Sequence, residues 1–203
     1  MGRALSRRVF LVEYRLAPEC PFPCAYDDAV AAWRWLVSAG GVDAGSVIVA
    51  GDSAGGGLGL ALMHTLRDGG EALPSAALLM SPYVDLTSSG VSMVERAEQD
   101  PGLTPEYMRD TAAMYLNGAD ARDPRASPLF ASQAGLPPML IQVGSAEILF
   151  SDSERLARAA AEAGVEVVLD VAEDLPHVYH GALDAPETMR AVAQMAEFAK
   201  RVG

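Results

Sequence analysis

The sequence predicts an α/β fold in which a mainly parallel sheet is flanked by helices. Two observations carry that reading. Short apolar runs alternate along the chain with stretches of helical character. At one junction, Gly51-Asp52-Ser53-Ala54-Gly55, a G-x-S-x-G pattern stands between the apolar run Val47-Ile48-Val49-Ala50 and a small-residue stretch, Ala54 to Asp68, that suits a helix.

In order, Val9–Glu13 reads as a buried strand. The prolines and turn residues of Leu16–Pro23 lead into a helix over Asp27–Ser38, where at least one of Trp33 and Trp35 is expected in the core. Val47–Ala50 is the next strand, followed by the elbow and its helix. Ala76–Met80 and Met139–Val143 are further strands, ending at Ser81-Pro82 and Gly144. Ser151 with Glu154 forms a capping-box pattern for a helix over Asp152–Ala163, which Gly164 is placed to stop. Val165–Val171 is a fifth strand, and Ala185–Val202 a closing helix with apolar positions at helical spacing. The chain, 1–203, reads as a single domain. Residues 85–128 break the rhythm and contain Met93, Met108, Met114, Tyr107 and Tyr115. They fit either helices that partly cover the mouth of a site or a packing insertion without substrate contact.

Half of the residues are apolar and the formal net charge is -12, spread over short acidic clusters. That balance excludes disorder and disfavours nucleic acid or anionic membrane as partners, since both require a basic surface. Arg3, Arg7 and Arg8 precede Val9-Phe10-Leu11-Val12, but four residues are too few for the apolar region of a signal peptide. No stretch approaches the ~18 apolar residues of a membrane span, so a cytoplasmic location is expected. Cys20 and Cys24 lack the C-x₂-C spacing of a zinc or redox site and are expected as free thiols, with no metal. The run Gly55-Gly56-Gly57-Leu58-Gly59 lacks the Lys-Ser/Thr ending of a phosphate loop, and Leu60 falls where G-x-G-x-x-G needs its last glycine. Nucleotide binding is rejected.

A serine held on a strained strand-to-helix turn exposes its hydroxyl as a nucleophile, and flanking glycines admit the close backbone approach that the turn imposes. The alternative for Ser53 is a helix cap. The nucleophile needs a base. His64 lies eleven residues along the following helix and is carried away from it; a surface or satisfied core histidine describes it best. His177, in the loop after the last strand, is the candidate base, with His180 a flanking residue one helical turn on. An acid that orients the imidazole belongs just beyond the fourth strand. Glu147 lies in that loop and is preferred; Asp152, at the start of the next helix, is the substitute and has a ready structural role there.

Taken as an ordered set, Tyr14-Arg15-Leu16-Ala17-Pro18-Glu19, Pro21-Phe22-Pro23, Asp27-Asp28, Gly51-Asp52-Ser53-Ala54-Gly55-Gly56, Ser81-Pro82, Asp123-Pro124, Ser127-Pro128, Gly144–Glu147 and Pro176-His177 resemble the hormone-sensitive-lipase-like (fold-3) group of bacterial carboxylesterases. The resemblance implies an α/β-hydrolase fold with a partial helical cap. It also implies hydrolysis of small-molecule carboxylic esters of short to medium acyl chain, through an acyl-enzyme on Ser53, without metal or organic cofactor. A second copy of the chain stays open as a partner. Cys20 stands where relatives usually have His, and Cys24 where a small residue is common. The family's His-Gly-Gly-Gly loop is absent, which leaves the Ala54 N–H as the oxyanion donor. Loss of one such donor costs about 10²–10³ in rate. Met1 falls inside what the family makes the helix after that loop. The resemblance therefore implies an N-terminally truncated member lacking the first three strands, with Val9–Glu13 and Val47–Ala50 left with exposed edges or forced together. An impaired homologue, or a non-enzyme that binds a small ligand, is the alternative function.

Overall fold

A computed structural model describes residues 2–202; Met1 and Gly203, and the expectation placed on Met1, lie outside the described residues. Along the chain the elements are α1 (Gly2–Leu5), α2 (Cys24–Val37), β1 (Ile48–Asp52), α3 (Ala54–Asp68), β2 (Ala76–Met80), α4 (Ser92–Glu95), α5 (Pro105–Leu116), β3 (Met139–Gly144), α6 (Phe150–Glu162), β4 (Val167–Ala172) and α7 (Pro186–Val202). The four strands form one parallel sheet in the order β1-β2-β3-β4.

Alternation along the strands assigns residues to the two faces of the sheet. Ala77 and Leu79 of β2 and Met139 and Ile141 of β3 pack with Leu60 and Met63 of α3 and Leu156 and Ala160 of α6. Their neighbours Ala76, Leu78, Met80 and Leu140 pack on the opposite face with Met195 and Phe198 of α7. Both central strands are buried along their whole length, as a parallel sheet covered on both faces requires. Outside α3, Val30 and Trp33 of α2 pack on Leu62 and Leu66.

Two local expectations fail. Val9–Glu13 is not a strand, and Val9 and Leu11 are exposed. No strand among the described residues lies beside this run, and β1 likewise pairs on one side only, so the edges are left open rather than forced together. Phe10 stacks instead on Trp35, with ring centroids 5.7 Å apart, so of the two tryptophans it is Trp33 that belongs to the core. Ser151 does not cap α6. That helix starts at Phe150, two residues before the expected Asp152, and the Ser151 hydroxyl pairs with the backbone of Ser92 instead. Gly164 does follow the end of α6 with φ at +78°.

Residues 85–128 contain α4 and α5. The Thr104 side chain accepts a hydrogen bond from Tyr107 N–H at the start of α5, and Asn117 in a left-handed conformation ends it. Met93, Met108 and Leu116 are buried against Tyr83, Ile148 and Leu149, while Tyr107 and Met114 are exposed.

Candidate active site

A parallel sheet delivers the carboxyl ends of all its strands to one edge, where loops can meet. Ser53 follows β1, Ser81 follows β2, Glu147 lies three residues past β3, and His177 five residues past β4. Backbone bonds continue the ladder beyond the strands: Ser53 N–H donates to Met80 O, Ser81 N–H to Gln142 O, and Ser145 N–H to Ala172 O.

The junction of β1 and α3 is an elbow set by sterics. Ser53 has φ +50° and ψ -121°, outside the regions that L-residues populate and of the kind that costs about 1–3 kcal/mol. A Cβ on Gly51 would stand 2.3 Å from the Gly55 carbonyl oxygen, so only glycine fits there. Gly55 departs from expectation: a Cβ there meets nothing within 4 Å, so crowding does not require the second glycine. Ser53 precedes α3 but its side chain makes no capping bond, which removes the helix-cap reading. Ala54 is the first residue of α3, so its N–H has no intrahelical acceptor.

The hydroxyl is directed toward a histidine instead. Ser53 Oγ lies 3.0 Å from His177 Nε2, and His177 Nδ1 lies 3.0 Å from Glu147 Oε1. With the ring proton on Nδ1, the imidazole donates to the carboxylate and Nε2 accepts from the serine. Glu147 is fully buried, and its other oxygen accepts from Ser81 Oγ at 2.8 Å and Gly144 N–H at 3.1 Å. A buried carboxylate is tolerated when its lone pairs are met in this way.

The acid and histidine loops pack backbone to backbone. Ala146 N–H donates to Leu175 O, Asp174 N–H donates to Ser145 Oγ, and a Cβ on Gly144 would come within 2.1 Å of Leu175 O. Val178, immediately after the histidine, has φ +48°, a rare conformation for a β-branched residue. Its N–H donates to the same Ser81 hydroxyl that donates to Glu147, and Ser81 itself has φ +45°. Ser81 thus joins the acid to the histidine loop. The sequence marks Ser81-Pro82 only as the end of a strand and carries no local pattern for this hydrogen-bonding role.

The other candidates fall elsewhere. Asp152 is buried at the start of α6, where one oxygen accepts from the N–H groups of Val84 and Asp85, and burial raises its carboxyl to about 7. His64 is buried on α3 with Nε2 3.1 Å from Gln133 Oε1, and burial lowers it to about 4. His180 lies in a 3₁₀ turn, stacked on Tyr179, with Nε2 3.1 Å from Gln142 Oε1; burial lowers it, too, to about 4. Cys20 and Cys24 are free thiols. Among the described residues no cluster of three His, Cys, Asp or Glu could hold a metal ion, and no helix is long and apolar enough to cross a membrane.

A parallel sheet with a strained serine elbow at its carboxyl edge defines an α/β hydrolase, and the family model for the alpha/beta hydrolase fold matches residues 1–181. The chain belongs to that family, in the group related to bacterial hormone-sensitive-lipase-like esterases. It is 43% identical over 201 residues to an acetyl-hydrolase of Streptomyces hygroscopicus, covering 98% of this chain and 66% of that protein. To an esterase of Acinetobacter venetianus it is 38% identical over 195 residues, covering 95% of this chain and 64% of the relative. The crystal structure of an esterase from the bacterial hormone-sensitive lipase family superposes with a TM-score of 0.95 at 44% identity, over 98% of this chain and 67% of that one. The chain thus spans about two thirds of the length of these two relatives.

Proposed function

We propose that the chain is a serine hydrolase that cleaves carboxylic esters of short to medium acyl length through an acyl-enzyme on Ser53, with His177 as general base and acid and Glu147 as the orienting carboxylate. The observation that carries the reading is the unbroken series Ser53 Oγ, His177 Nε2, His177 Nδ1, Glu147 Oε1, with both gaps at 3.0 Å. The names of the relatives, acetyl-hydrolase and esterase, support the ester class.

Ser53 Oγ attacks the carbonyl carbon as its proton passes to Nε2, and Glu147 stabilises the imidazolium through the Nδ1–H bond. The carbonyl electrons become an oxyanion that accepts from the Ala54 N–H, which as the first amide of α3 also carries the positive end of the helix dipole. Collapse expels the alcohol, which takes the proton from Nε2, and leaves an acyl-Ser53 ester. Water then attacks that ester as His177 accepts its proton, releasing the acid and restoring the serine. Residues 85–128 would form a partial cap beside the substrate.

The test is the pre-steady-state release of p-nitrophenol from p-nitrophenyl acetate. The reading expects a burst approaching one equivalent per chain, followed by slower turnover, with Ser53→Ala showing neither. Release no faster than that of the Ser53→Ala variant, from folded protein, would sink it.

A further inference from the structure

The residue after Glu147 is gripped at both of its backbone groups by side chains from the 85–128 segment. Ile148 N–H donates to Asp100 Oδ2 at 2.9 Å, and Ile148 O accepts from Ser92 Oγ at 2.5 Å. Ser92 and Ser151 then exchange a reciprocal pair: Ser92 N–H donates to Ser151 Oγ at 3.0 Å, and Ser151 N–H donates to Ser92 Oγ at 2.9 Å. Asp100 does not hang freely. Its Oδ1 accepts from Gly102 N–H and Leu103 N–H, both at 2.9 Å, so the carboxylate is fixed in its own loop before it reaches Ile148. Ile148 and Ser92 are essentially without solvent contact and Asp100 is nearly so. The contacts span 48 to 59 residues of sequence.

The consequence lies in the geometry of the acid loop. From the end of β3 at Gly144 to the start of α6 at Phe150 there are only five residues, and Glu147 sits at the centre. Its carboxylate is held from one side by Ser81 Oγ and Gly144 N–H. Its backbone is held from the other through Ile148, one peptide away. A bond to an ionised acceptor is roughly twice as strong as a neutral one, and a buried N–H stripped of its acceptor is costly. A shift of about 0.5 Å in Glu147 is enough to spoil a relay that has to hold its groups within about 0.5 Å of productive geometry. Both faces of the loop therefore need a fixed partner, and the segment that supplies the second one contains no group in the relay.

We infer that Asp100 and Ser92 are positioning residues: the 85–128 segment sets the register of the acid loop, so that Glu147 Oε1 meets His177 Nδ1. This inference rests on the reading of Glu147 as the orienting acid. It gives the segment a task in the chemistry that is separate from covering a substrate.

A double-mutant cycle on the rate of Ser53 modification by a fluorophosphonate separates positioning from simple structural support. Asp100→Asn keeps the shape but cannot satisfy all three N–H donors. It should slow labelling about tenfold when Glu147 is present and by less than about twofold in a Glu147→Ala background, because there is then no acid to misplace. Ser92→Ala is the second variant, with a loss of about fivefold that vanishes in the same background. An equal loss in both backgrounds, or a fall in melting temperature with no change in labelling rate, would overturn the inference while leaving the acid assignment intact. Labelling unaffected by Glu147→Ala itself would instead overturn the assignment of the acid, and the inference with it.

Discussion

The two ends of the proposed relay are built in opposite ways. Ser53 stands at the end of an edge strand, partly open to solvent, and its position is dictated by an unusual backbone conformation and one close glycine contact within five residues. Glu147 is fully buried at the end of an interior strand, and it is held by hydrogen bonds from three separate stretches of chain: β3's last residue, Ser81 and the histidine loop. The nucleophile is placed by local sterics and the acid by distant partners. A local device tolerates the open edge of β1, whereas an acid held by remote groups is only as well placed as the packing around it. Strain collects where the two meet, since Ser53, Ser81 and Val178 all have positive φ and all touch the site.

The largest effect expected is at the point where the two ends join. His177→Ala should lower the rate of fluorophosphonate labelling by about 10³ or more, because it removes the base and disconnects the acid in one step. Next comes the choice of carboxylate. Glu147→Gln should cost about 10²–10³ in the same rate, whereas Asp152→Asn, whose role is to accept the N–H groups of Val84 and Asp85, should change it by less than about threefold. The reverse order would show that the buried loop holds the wrong carboxylate.

The steric end predicts a contrast between two glycines. Gly51→Ala drives a Cβ into the Gly55 carbonyl and should lower stability by more than about 3 kcal/mol, together with loss of labelling. Gly55→Ala meets open space and lies in the first turn of α3, so thermal melting should show it unchanged or up to about 1 kcal/mol more stable.

The smallest effect concerns the histidines outside the relay. His64 and His180 are held near 4 by burial, against 6.5 for an ordinary histidine, so the unfolded chain binds more protons than the folded one between those values. Stability is therefore lost as pH falls from about 6.5 to about 4, by at most about 3 kcal/mol per histidine. Asp152 acts in the opposite sense: its carboxyl is raised to about 7, so its protonation favours the fold as pH falls over much of the same range. Melting temperatures across that interval should fall more gently in the double variant His64→Gln, His180→Gln, and more steeply in Asp152→Asn.

How much of this was legible in the sequence follows the same division. The elbow was, because G-x-S-x-G between an apolar run and a small-residue helix is a five-residue steric statement; α3 and β2 have the bounds expected for them. His177 and Glu147 could be placed in loops that meet because each strand of a parallel sheet ends at the same edge. The contacts of Ser81, Ser92 and Asp100 were not legible, since they join residues 48 to 97 positions apart and a lone serine or aspartate carries no local pattern that announces such a partner. The misreading of Val9–Glu13 has a related cause. An apolar run can propose a strand, but a strand needs a neighbour to bond to, and none of the described strands lies beside it.

Mass-spectrometric mapping of the covalent adduct formed by a fluorophosphonate on the folded chain tests the central claim most directly. The account predicts a single adduct on Ser53, formed faster than on the His177→Ala chain by about 10³ or more. A folded chain that carries no adduct at Ser53, or one whose labelling is indifferent to His177, would contradict it.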